Sequence, residues 1–132
     1  MSPEDLDTVR RAYDAFARGD LETLGTFLAP DIEWRTTANV PFMGNYVGLD
    51  EFLRGMNDWA SAFEEITTQV EEMIDAGDKV IVCHRMRGRG RDSGVEVDLA
   101  ICQVVAVRDG KLVSMHDYAT RDEALAAAQD GR

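Results

Sequence analysis

Between Ile66 and Ala119 the chain runs through four strand-like segments separated by three short turn signals, and few architectures accept that pattern. "ITTQVEEMIDA" alternates apolar and polar residues and turns at Ala76-Gly77-Asp78. "KVIVCHRMRGRG" follows as a long strand, "RDSG" turns, "VEVDLAICQVVAV" runs back, "RDGK" turns again and "LVSMHDYA" returns. Period-two alternation bounded by Gly and Asp turns predicts four antiparallel strands in meander order.

The N-terminal half has the other periodicity. Ser2 is the predicted N-cap and Pro3 the first helical residue, followed by Leu6, Val9, Tyr13, Phe16 and Ala17 at helical spacing. Gly19-Asp20 ends this helix. "LETLGTFLAP" predicts a short second helix that stops before Pro30, and "DIEWRTT" a first strand. "ANVPFMGNYVG" reads as a loop or wrapped segment, and Phe52, Met56, Trp59 and Phe63 mark one face of a third helix. "RDEALAAAQ" closes the chain as a short helix or a solvated tail. Three helices and one strand followed by a long meander give an α+β domain, with helices on one face of a curved antiparallel sheet that folds over them as a cone.

Composition narrows the function classes. The length of 132 residues suits one domain, and 14 Lys+Arg against 25 Asp+Glu give a formal net charge of −11. That charge repels phosphate backbones and anionic membrane surfaces, so neither nucleic acid nor membrane is an expected partner. Cys83 and Cys102 lack the paired spacing of a metal site and are expected to be reduced core residues. The N-terminus "MSPEDLDTV" has no apolar targeting region, and no run approaches a membrane span, so a cytoplasmic location is expected. No metal and no cofactor is expected.

His116 and Asp117 are adjacent, but neighbours in a regular strand point to opposite faces, so they cannot both enter the cone as a dyad. Which one does depends on the "RDGK" turn. A two-residue type I′ turn pairs Arg108 with Lys111 and puts Cys102 on the face of Asp117. A three-residue loop with Gly110 left-handed pairs Val107 with Lys111 and puts Ile101 opposite Asp117.

The segments "FARGDLETLGTFLAPDIEW", "GNYVGLDEF" and "VRDGKLVSMHDY" resemble the SnoaL-like branch of the nuclear transport factor 2-like superfamily over nearly the whole chain. The resemblance implies a single domain over residues 1–132 with the cystatin-like α+β barrel, a fold that hosts isomerases, hydrolases, cyclases, dehydratases and binding proteins alike. Ketosteroid isomerase would place its three catalytic groups at Thr36, Ala12 and Gln103, so all three are absent, with Tyr13 one place from the tyrosine position. Limonene epoxide hydrolase would match its arginine and one aspartate to Arg85 and Asp117, its second aspartate to Arg87, and its tyrosine and asparagine to Trp34 and Thr36.

Carrying over the relatives' inward parity implies a pocket face of Trp34, Thr36, Ile81, Cys83, Arg85 and Arg87 together with Leu99, Ile101, Gln103, Met115 and Asp117. His84, Cys102, His116 and Tyr118 would face outward. The relatives favour the three-residue loop. An inward Asp117 must be paired or protonated. Arg85 is its expected partner, either tuning a general base or forming a structural ion pair with it. Trp34, Tyr46, Phe42, Trp59 and Phe63 would line the site for a flat ligand or be ordinary core. The run "RMRGRGR" would meet an anionic substrate or solvate a hairpin end. The implied functions are a cofactor-independent acid/base isomerase, cyclase or hydrolase acting on a small hydrophobic or carbonyl-bearing molecule, or a non-catalytic binding or interaction module. Apolar residues on both faces of "VDLAICQVVAV" further imply a homodimer through the outer sheet face.

Overall fold

The computed structural model describes residues 1–36 and 44–129. Helix α1 spans Pro3–Ala17, with the Ser2 hydroxyl accepting from the Asp5 amide at 3.1 Å, and α2 spans Leu21–Thr26, capped by Asp20. Strand β1 (Leu28–Arg35), strand β2 (Asn45–Val47) and helix α3 (Leu49–Ser61) follow. The meander is β3 (Phe63–Asp75), β4 (Lys79–Gly90), β5 (Glu96–Arg108) and β6 (Lys111–Tyr118), and α4 (Arg121–Gln129) ends the described chain. Phe42 and the rest of the expected wrapped segment over 37–43 lie outside the described residues. No helix among the described residues is long and apolar enough to cross a membrane.

All six strands form one sheet in the order β2-β1-β6-β5-β4-β3, with β1 parallel to β6 and the other pairs antiparallel. The fold is the expected α+β cone. One face of the sheet buries Trp34, Val80, Val82, Val105, Leu112 and Met115 against α1 and α3.

The opposite face is covered as well. Ile81, Cys83, Cys102 and Val104 pack against Ala124 and Ala128 of α4, whose first turn is capped by the Thr120 hydroxyl and whose Arg121 pairs with Glu72 of β3. The C-terminal helix is therefore a built element and not a solvated tail. It also accounts for the two apolar faces of β5 within one chain. Cys83 and Cys102, directly opposite each other on β4 and β5, form a disulfide under this helix, contrary to the expectation of reduced thiols.

Two strand registers set which residues face the helices. In the β4–β5 hairpin Arg89 pairs with Glu96, so odd-numbered residues of β5 share a face with even-numbered residues of β4. The inward side of β4 is thus Val80, Val82, His84 and Met86, one residue out of step with the parity implied by the relatives. The β5–β6 turn is the two-residue alternative, with Arg108 opposite Lys111 and Asp109 and Gly110 both at positive φ, the type I′ signature. A bulge between the Ala106 and Val107 pairings then shifts the register by one and brings Gln103, not Cys102 or Ile101, opposite Asp117.

Helix α3 contributes a flat seat. A Cβ at Gly55 would lie 2.7 Å from Cε1 of Tyr46, whose ring stacks on Trp34 with centroids 5.1 Å apart. Alanine favours helix over glycine by about 1 kcal/mol. At this contact the steric term dominates, so Gly55→Ala is expected to lower stability by about 1–3 kcal/mol in chemical denaturation. A variant as stable as the parent would show that Tyr46 moves aside at no cost.

Candidate active site

The cone holds a partly open cavity of about 40 Å³ between α1, α3 and the inner sheet face. Its walls are mostly apolar, from Phe16, Leu24, Met56, Trp59, Ile101 and Met115, and its polar groups are Tyr13, His84, Gln103 and Asp117. A space of this size holds about three waters, or a polar fragment of a few heavy atoms. Two flexible methionines in the wall can adapt to more.

Asp117 is 3% exposed and anchored from both sides. Trp34 Nε1 donates to its Oδ2 at 2.8 Å, and Gln103 Nε2 donates to its Oδ1 at 2.6 Å. The Tyr13 hydroxyl donates in turn to Gln103 Oε1, so a helix and three strands meet in one chain of hydrogen bonds. Burial pushes the Asp117 carboxyl up to about 6, against the opposing pull of the bonds from Trp34 and Gln103. Burial and the neighbouring Asp117 charge push the Tyr13 hydroxyl well above its ordinary range, so it remains a neutral donor.

Arg85, the expected partner of Asp117, is not in the cavity. It points to the other face, where it contacts Asp98 at 2.9 Å and Glu71 at 3.4 Å. Arg87 also lies outside, 63% exposed and 3.5 Å from Asp98. Both corrections follow from the β4 register, as does that for Ile81 and Cys83, which lie under α4. The arginine run of β4 spends its charge on acidic residues of β3 and β5, including Arg89 on Glu65 at 2.7 Å. Such half-exposed pairs contribute little to stability.

The other residues implied by the relatives divide. Tyr13, Trp34, Ile101, Gln103 and Met115 line the cavity with Asp117. Leu99 sits opposite Met86, toward the far end of β5, and is not in the cavity wall. Thr36 exchanges hydrogen bonds with the backbone of Gly44 and does not reach the wall either. His116 is half-buried on the other side of β6.

His84 is the residue that parity misplaced. It lines the cavity, 7% exposed, with its ring 5.8 Å from that of Tyr13, and its Nε2 has no hydrogen-bond partner among the described residues. Burial pushes its imidazole down to about 4, although Gln103 and the Glu71 charge oppose this, so it is neutral at pH 7. The sequence carries no signal that finds it, because "RDSG" does not say how many loop residues stay unpaired and that number sets the face of every β4 side chain. No group of three or more metal-ligating side chains occurs among the described residues.

The Asp117 carboxyl sets a pH dependence of stability. Its folded value of about 6 lies above the ordinary 3.8, so the native state binds the proton more tightly than the unfolded chain. The burial penalty is then absent near pH 4, grows through pH 4–6 and is complete above it. Asp117→Asn removes the charge, and a turned Gln103 amide can restore the bonds: the introduced amide accepts from Trp34 and donates to Gln103, which donates to Tyr13. The variant is expected to be more stable than the parent at pH 8 by on the order of 2–3 kcal/mol, a difference that shrinks toward pH 4. Denaturant unfolding at both pH values checks this, and a variant uniformly less stable would contradict it.

Residues 9–115 match the SnoaL-like domain family. The uncharacterized protein Rv0034 of Mycobacterium tuberculosis strain H37Rv is 31% identical over 116 residues, covering 86% of this chain and 87% of its own. Among solved structures, an NTF2-like protein from Burkholderia thailandensis superimposes with a TM-score of 0.80 at 28% identity, covering 100% of this chain and 99% of that one. An NTF2-like protein of unknown function from Burkholderia pseudomallei gives 0.77 at 26% identity, covering 96% and 97%. A putative SnoaL-like polyketide cyclase from Jannaschia sp. CCS1 has the same fold, with a TM-score of 0.77 at 20% identity over 97% of this chain and 94% of that one. The match over residues 9–115, together with the cone and its helix-covered cavity, places the chain in the SnoaL-like domain family of the NTF2-like superfamily.

Proposed function

We propose that the chain is a cofactor-independent acid/base catalyst for a small, largely apolar molecule bearing a carbonyl group, with Asp117 as the general base. The observation that carries this reading is the carboxyl itself: it is buried, bonded on both oxygens and without a cation partner among the described residues. A structural carboxyl gains stability from its surroundings, whereas this one loses it on ionisation. Such a placement is characteristic of functional groups.

The chemistry follows from the site. With a value of about 6, roughly nine-tenths of Asp117 is ionised at pH 7, close to the optimum for a base that must also release its proton. Trp34 and Gln103 fix the carboxylate plane, and each oxygen keeps a lone pair for a substrate C–H or O–H. The mostly apolar walls lower the local dielectric and strengthen electrostatic interactions at the carboxylate. The fit is to proton abstraction next to a carbonyl, the step shared by isomerisations and aldol-type cyclisations.

A non-catalytic pocket is the second reading, supported by the fact that Tyr13, Gln103, Asp117 and Trp34 already satisfy one another and that the described cavity wall holds one carboxyl. Deuterium exchange decides between the two. In D₂O at pD 7–8, acetone, cyclopentanone and 2-cyclohexenone are expected to exchange α-protons faster with the protein than with buffer, with the rate rising with pH through about 6. Asp117→Asn should lower that rate by about two orders of magnitude or more. No acceleration, or equal acceleration by the variant, would leave the binding reading standing.

A further inference from the structure

The hydrogen bonds that end on Asp117 have a direction. The Tyr13 hydroxyl donates to Gln103 Oε1, Gln103 Nε2 donates to Asp117 Oδ1 at 2.6 Å, and Trp34 holds Oδ2. An ionised carboxylate only accepts, so it needs the Gln103 amide to face it with the NH₂ group. The amide oxygen then faces α1, where the Tyr13 hydroxyl meets it as a donor. Each group in this series polarises the next, and the series ends on a charge only while Asp117 is ionised. Hydrogen bonds that end on a charge are about twice as strong as neutral ones, so the Tyr13 hydroxyl supports the ionised carboxyl more than the protonated one.

We infer that Tyr13 is a positioning residue that sets the proton affinity of Asp117 by acting through Gln103. The inference rests on the acid/base reading, because the proton affinity concerned is that of the proposed base. Burial and the Asp117 charge hold the Tyr13 hydroxyl well above its ordinary range, so it stays a donor wherever Asp117 titrates. The other titratable group in the cavity wall is His84 on β4, which is hydrogen-bonded to the same Gln103 side chain and is pushed by burial down to about 4. It is therefore neutral where Asp117 titrates. The wall residues from α2, α3 and β1 are Leu24, Met56, Trp59 and Trp34, none of which titrates. Altering the Tyr13 hydroxyl thus changes the hydrogen-bond series and removes no charge from the cavity.

The titration of Asp117, followed by carboxyl ¹³C chemical shifts, is the test and needs no substrate. Tyr13→Phe keeps the ring and removes the donor, and is expected to raise the Asp117 midpoint from about 6 by about one unit, an about tenfold gain in proton affinity. Placing 3-fluorotyrosine at position 13 alone makes the phenol more acidic and a stronger donor, and is expected to lower the midpoint. This second protein keeps every native bond, so it decides the matter should Tyr13→Phe fail to fold. A midpoint that stays in place, or moves in the opposite sense, in either protein overturns the inference. Deuterium exchange separates this result from the fate of the acid/base reading. Exchange with unmoved midpoints retains Asp117 as base and rejects Tyr13 as the residue that tunes it. Shifted midpoints without exchange retain the tuning and reject catalysis.

Discussion

The bonds from Trp34 and Gln103 to Asp117 depend on most of the fold being in place. Asp117 on β6, Gln103 on β5 and Trp34 on β1 are three neighbouring strands, and Tyr13 joins them from α1. A carboxyl at this depth needs its oxygens satisfied, and these bonds require β1 to lie parallel to β6 and the β5–β6 register to carry its bulge, while α1 supplies the Tyr13 hydroxyl that bonds Gln103 in turn. The aromatic seat extends the same requirement outward, because Trp34 is held by Tyr46 and Phe52, and Tyr46 by the missing side chain at Gly55.

The sheet is covered on its inner face by α1 and α3 and, around Cys83 and Cys102, on its outer face by α4, and the two faces do different work. The inner one carries the cavity and its network. The outer one carries a small apolar cluster, the Cys83–Cys102 disulfide and a helix that seals them. Consecutive residues of one strand therefore belong to different environments: Cys83 and His84 are neighbours in sequence, as are Cys102 and Gln103, and in each pair one holds the outer cluster together while the other faces the cavity. The basic run of β4 neutralises its acidic neighbours at the surface and takes no part in the cavity.

Much of this was legible from residue patterns. The alternation and turns of 66–118 specify the meander, and the spacing of Leu6, Val9 and Tyr13 specifies α1, because binary periodicity reports burial directly. The inward face of β1, β5 and β6 follows from the parity carried over from the relatives. What pattern alone does not reveal is register. "RDSG" marks a turn without saying how many residues stay unpaired, and a change of one moves Arg85 out of the cavity and His84 into it. The three-residue loop that the relatives favour for "RDGK" is not formed: the turn is type I′, and a bulge further along the strands puts Gln103 opposite Asp117. The two apolar faces of β5 were a true signal with two causes available, a second copy of the chain or its own C-terminal helix. Four alanines in "EALAAA" are too small to reveal in advance that they cover a sheet.

The central claim is that Asp117 is a buried carboxyl whose charge is disfavoured and uncompensated, and its own titration measures that most directly. Carboxyl ¹³C chemical shifts of aspartate-labelled protein followed from pH 3 to 8 should show one residue, assigned to Asp117 by its absence in Asp117→Asn, with a midpoint near 6. A midpoint at or below the ordinary aspartate value would mean that an unrecognised partner compensates the charge, and would contradict both the strain argued here and the case for Asp117 as a base.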